Sequence, residues 1–244
     1  MTDTTEGAIS TIADRKRYPN IPPGLVKHVR YLASNHIESR ILKSLVQTPE
    51  AVAGRIDELF SKASSITGKP PDELLSSTDF HWREKDSSRI EAAFAEIRAI
   101  NFLDKHRFRD ITLLASRRKR KADIRAERCG LVYAIEVADS NYYAHNRVQP
   151  EQIANWIQHQ LMEAGKSAQL QHTAREIRAA KQAFIAIIDT EGAVPLNTNA
   201  DYLRAAQDAW SAAGSPPNLH LCVVTGRQAL GYPPDDAVFP PWES

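Results

Sequence analysis

Residues 131–137, LVYAIEV, are apolar at both alternating sets of positions except for one glutamate. A strand with one solvated face alternates apolar and polar residues, so a run that is apolar throughout has to be covered on both sides. Two further runs share this character, AFIAIID at 183–189 and LHLCVVT at 219–225. Helical patterns separate them: 150–162, then 166–181 with Gly165 as the break, then 200–212. Upstream, strand character recurs at 110–114 and 121–125, and Cys129 with Gly130 is a hairpin signal joining the latter segment to 131–137. Before these, Ser87 or Ser88 caps a helix whose stripe of Ile90, Ala93, Phe94, Ile97, Ile100 and Leu103 reaches about His106. The order helix, three strands, helix, strand, helix, strand predicts an α/β fold, a mixed sheet flanked by helices. No strand leads into a glycine-rich turn of the dinucleotide or P-loop kind, so nucleotide binding by those devices has no support.

The rest of the chain divides by composition. Residues 1–24 are polar, show no apolar period and end in a Pro-Pro-Gly turn, so an irregular arm is expected there. Residues 25–80 carry helical spacing, with Thr48 before Pro49 as a start signal, and form a helical subdomain. The core is assigned to 81–226, and 227–244 is a proline-rich tail expected to wrap the surface. With 244 residues, 42% hydrophobic and 25% charged, the chain has material for a sizeable core. Nothing approaches an apolar run of about 18 residues, and the start MTDTTEGAIS lacks the basic-then-apolar pattern of a secretory leader. No membrane partner is expected on the first of these grounds, and two cysteines, Cys129 and Cys222, cannot make a disulfide framework, which points to a reducing, cytoplasmic setting.

Lys and Arg total 31 against 30 Asp and Glu, so net charge selects no partner. Distribution does more: between Lys105 and Arg128 there are ten bases against three acids, including the run Arg117, Arg118, Lys119, Arg120, Lys121. That run is either a local positive field or a solvated loop between strands. Glu136 is the anomaly, because a carboxylate in a strand buried on both faces is expensive unless paired. Asp123, thirteen residues earlier across the hairpin, can sit beside it. Two carboxylates facing the same way suit a hard divalent cation such as Mg²⁺. A salt bridge from Glu136 to a nearby arginine accounts for the pattern equally well. The eight histidines show no zinc-ligand spacing, and no GxSxG elbow is present. Cys129, in a basic surrounding, is either a reactive thiolate or, the more frequent role in a hairpin, a small buried hydrophobe, and the scattered tryptophans read as core or edge anchors.

A helix bearing Glu96, a strand, then ADI and IEVA on a hairpin, then a helix and a further strand, resembles the PD-(D/E)XK nuclease superfamily over 87–189. The resemblance implies a restriction-endonuclease-like αβββαβ core and Mg²⁺- or Mn²⁺-dependent phosphodiester hydrolysis. DNA is the substrate it favours, with RNA second. It makes Asp123 and Glu136 the metal ligands, adds the carbonyl of Val137, and gives Glu96 the place of the helix glutamate found in several branches, ahead of Glu91. Arg117, Arg118, Lys119, Arg120, Arg125 and Lys166 would contact nucleic-acid phosphates, and Tyr142, Tyr143, His145 and Asn146 would line the groove or serve as loop anchors. Gln169 and Gln171 stand where some members place a helix glutamine. A homodimer is expected on the same ground, since two sites are needed to cut both strands, although no coiled-coil seam fixes the assembly.

The family's lysine should stand at position 138, two residues after Glu136 and on the same strand face, but this chain has Ala138. Three explanations compete. The chain is an inactivated variant, the reading slightly favoured; or the lysine has migrated to Lys121 or Lys166; or the site has decayed. The last gives the alternative function, a catalytically inactive nuclease-fold protein that binds nucleic acid or a protein partner.

Overall fold

The computed structural model describes residues 3–114, 121–141, 149–189, 199–225 and 236–243. The chain divides into two compact units, Met1–Lys105 and His106–Ser244.

The first unit is helical: α1 (Asp3–Ala13), α2 (Pro23–Ser34), α3 (Arg40–Gln47), α4 (Pro49–Thr67), α5 (Pro71–Ser77) and α6 (Ser87–Lys105). The arm expected over 1–24 is therefore mostly helix. Ala8, Ile9 and Ile12 form a narrow stripe buried where α1 packs on α2, α3 and α4, too few apolar positions to register as a period. Proline at the first turn of α2 and α4 costs no hydrogen bond there. The Ser39 hydroxyl caps α3 by accepting the Leu42 N–H at 3.2 Å. Gly68, left-handed at φ 70°, ends α4. The stripe on α6 is buried as expected, at Ile90, Ala93, Ile97, Ile100 and Leu103. This helix belongs to the N-terminal unit, so the division falls after Lys105 and not after residue 80.

The second unit is built on one sheet with the order β1 (Arg109–Leu113), β2 (Ile124–Arg128), β3 (Leu131–Asn141), β4 (Lys181–Asp189), β5 (Leu219–Thr225), β6 (Asp236–Phe239). It is mixed: β1 to β3 are antiparallel, β3, β4 and β5 run parallel, and β6 closes antiparallel on β5. Cys129 and Gly130, both at positive φ, make the two-residue β2–β3 turn. Strand β6 corrects the expectation of a wrapping tail, because part of that segment pairs with β5. Helices α7 (Pro150–Met162), α8 (Lys166–Glu176) and α9 (Asn199–Ala212) cover one sheet face. Ala134, Ala138, Phe184, Ala186, Leu221 and Val223 are buried there against Ile153, Ile157, Leu170, Tyr202 and Ala206. Helix α8 stops five residues short of the expected 181, because Arg178 turns to φ 53° and Lys181 already starts β4.

The opposite face of β3 carries an aromatic cluster. Tyr133, Phe108, His220 and Trp242 pack with ring centroids 4.8–5.8 Å apart. Glu243 ties the segment after β6 to it: its carboxylate accepts the Tyr133 hydroxyl at 2.8 Å, pairs with Lys181 and lies 3.4 Å from His220 Nε2. Burial pushes the Glu243 carboxyl up, but the hydrogen bonds from Lys181, Tyr133 and its own backbone, with the His220 interaction, outweigh it and hold the group well below the usual range, at about 2. Among the described residues no helix is long and apolar enough to cross a membrane.

Candidate functional site

Asp123 stands one residue before β2, where the expected 121–125 strand begins three residues late. Its backbone is nonetheless fixed on both sides: Asp123 N–H donates to the Ile135 carbonyl at 3.0 Å, and Leu114 N–H donates to the Asp123 carbonyl at 2.8 Å. Ile124 pairs with Ile135, so continuing the antiparallel register by one residue sets Asp123 opposite Glu136. Directly opposed residues share a sheet face. The Asp123 carboxylate is then oriented by the Val137 N–H, which donates to Oδ2 at 2.8 Å. Val137 thus enters the site through its amide.

Glu136 lies between Ala134 and Ala138 on the face covered by α8, and only 1% of its side chain is exposed. Its Oε1 accepts a hydrogen bond from Lys166 Nζ, and its Oε2 is buried with no hydrogen-bond partner among the described residues. Burial first, and the Asp123 charge second, push the Glu136 carboxyl up to about 8, against the downward pull of Lys166. Below that pH the pair holds a proton, which relieves the repulsion between the two carboxyl groups.

Lys166 is the first residue of α8, after Gly165 at φ 76°. The helix is held along the hairpin at two further points. The Thr173 hydroxyl, fully buried, accepts the Ala122 N–H at 2.8 Å, and Glu176 pairs with Lys121 at 2.5 Å. Of the expected site residues, Asp123, Glu136, Val137 and Lys166 come together. Lys121 is directed to Glu176, and Arg125 is paired with Glu127 on its own strand. Ala138 is packed among apolar side chains, with 9% exposed. Glu96 is half-buried on α6, in the other unit, and Glu91 lies 3.7 Å from Arg40 there. Gln169 is half-buried and Gln171 exposed on α8. Arg117, Arg118, Lys119 and Arg120, like Tyr142, Tyr143, His145 and Asn146, lie outside the described residues. Thr173 and Glu176 were not expected. The signal for Thr173 was its place on the apolar face of α8, in register with Leu170 and Ala174.

The described residues hold no cluster of three or more His, Cys, Asp or Glu suited to a metal. The pair itself fits a hard divalent cation: two carboxylates converge, one buried oxygen has no hydrogen-bond partner among the described residues, and their mutual repulsion already favours a bound proton. No protein-family model matches this chain, and neither does a curated protein or a solved structure.

Proposed function

We propose that this chain is a metal-dependent nuclease that hydrolyses DNA phosphodiester bonds on a restriction-endonuclease-like core, with its carboxylate pair in the unit His106–Ser244. The observation that carries this reading is the opposition of Asp123 and Glu136 across a hairpin, in a buried site that also receives Lys166. Supporting it, the chain runs α6, three antiparallel strands, α7 and α8, then a strand parallel to β3, the order on which the resemblance rests.

A Mg²⁺ or Mn²⁺ held by Asp123 and Glu136 would supply an activated water and neutralise charge on the phosphoryl oxygens. The chain's own residues do the positioning. The Val137 amide fixes the Asp123 carboxylate, and Thr173 anchors α8 so that Lys166 reaches the pair. Lys166 supplies the ammonium that Ala138 lacks, which favours a migrated lysine over an inactivated variant; Lys121, engaged by Glu176, is the weaker candidate. Arg125 and the basic run 117–121 would add salt-dependent affinity for the backbone without base specificity.

One observation favours the alternative, a nuclease fold that only binds: Lys166 already partners the buried carboxylate, so folding alone accounts for the pair. Cleavage of plasmid and single-stranded DNA, and of RNA, with Mg²⁺ or Mn²⁺ separates the two. The nuclease reading expects metal-dependent cutting that Asp123→Asn and Glu136→Gln each reduce by about a thousandfold or more, the scale of losing a metal-activated nucleophile. Folded wild-type protein that cuts none of these substrates sinks it.

A further inference from the structure

We propose that Lys166 is the stand-in cation of this site: its ammonium occupies the place on Glu136 that a divalent ion takes, and the two exclude each other. This inference rests on the metal-centre reading of Asp123 and Glu136 and concerns how that centre is loaded. A buried carboxylate needs a proton or a cation, and among the described residues Lys166 is the basic side chain that reaches Glu136 Oε1. The other oxygen, Oε2, is buried without a hydrogen-bond partner among the described residues, so the ammonium satisfies only one of the two Glu136 oxygens.

Charge decides the exclusion. With both carboxylates ionised, one ammonium leaves one negative charge in excess, which a proton can offset, and a divalent ion alone balances the pair. Both cations together would leave a buried positive charge, the costly arrangement. The geometry lets the ammonium leave without moving the helix. Lys166 opens α8, its side chain is 26% exposed, and the helix is pinned further along by Thr173 and by Glu176 to Lys121. A four-carbon stem anchored there can swing its head toward solvent while its Cα stays put. A lysine released as the ion arrives is then available to a substrate phosphate beside the site. The same ammonium guards the empty pair and serves the loaded one.

The test is Mn²⁺ titration of the full chain by calorimetry, with Lys166→Met, Lys166→Arg, and Lys166→Met combined with Asp123→Asn. Expected is an Asp123-dependent isotherm that tightens by about tenfold or more in Lys166→Met, the effect of losing one competing charge worth about 1.4 kcal/mol. Lys166→Arg keeps a cation and gains nothing. Equal affinity in wild type and Lys166→Met overturns the stand-in while the metal centre survives. Binding that ignores Asp123 in every variant overturns the metal centre itself, and this inference with it. A second readout needs no variant: an amine-reactive label mapped by mass spectrometry should modify Lys166 faster once Mg²⁺ is added, and an unchanged rate refutes the displacement.

Discussion

Removing the Lys166 ammonium without touching the carboxylates probes the site at its most loaded contact. Glu136 is buried with 1% of its side chain exposed, whereas Lys166 keeps 26%, so the pair is deep at one end and wet at the other. Breaking a fully buried pair costs about 3–5 kcal/mol. Here the loss is capped, because a carboxyl whose pKa stands at about 8 can take a proton at neutral pH instead of remaining bare. What is then lost is one charge-assisted hydrogen bond, about 1.5–3 kcal/mol. Lys166→Met should therefore destabilise the protein by about 2 kcal/mol at pH 7. Glu136→Gln should cost less, because the amide still accepts from Lys166 and removes the repulsion with Asp123. In the double variant the ammonium is removed from a site that no longer holds the Glu136 carboxylate, so the two changes should couple by about 1–2 kcal/mol. Urea unfolding of the four proteins in a chelator measures this directly, with separate fits if the two units melt apart. Additivity within about 0.5 kcal/mol, the figure for independent sites, would refute the claim that the two groups act as one unit.

Other consequences follow from the same geometry. Ala138→Lys forces a long side chain into an apolar cluster and sets a second ammonium beside Glu136. It should cost about 1–3 kcal/mol in urea unfolding and leave cleavage no faster than wild type. Thr173→Val strips the Ala122 N–H of its acceptor and should lose about 1–3 kcal/mol; if α8 positions Lys166, cleavage falls with it. Burial holds His220 below its ordinary pKa, so the unfolded chain binds more protons at low pH. That contribution is whole above about 6.5 and fades as the pH falls below it, and unfolding curves between pH 5 and 7 should be flatter for His220→Asn. Trp242→Ala opens a hole between Phe108, Tyr133 and His220 and should lower stability by about 2–4 kcal/mol.

The opposition of Asp123 to Glu136 was legible because a two-residue turn at Cys129 and Gly130 leaves one register for the hairpin, and that register makes residues thirteen apart opposite neighbours. Strand β5 matched its expected bounds, since an apolar run covered on both faces has sharp ends where the cover stops. Position 123 read as strand interior because its alternation continues upstream, yet the ladder begins only at Ile124. The role of Lys166 was harder to read. It depends on α8 returning along the hairpin, a tertiary placement fixed by the buried Thr173 hydroxyl and by Glu176, neither of which stands out in a helical pattern. Helix α1 and strand β6 were hidden for opposite reasons. The first has too few apolar residues to show a period, and the second lies in a proline-rich segment that reads as coil.

The strands of the sheet lie side by side in the order in which the chain makes them. Each new strand docks on the one before it, so no pairing has to wait for a partner further along the chain, and every closure spans the shortest loop the connections permit. A sheet of this kind can grow by accretion at a single edge during synthesis. Asp123 and Glu136 are brought together by a local hairpin, whereas the Lys166 ammonium reaches them from 30 residues beyond Glu136, so the two carboxylates are a local pairing and their cation a longer-range one.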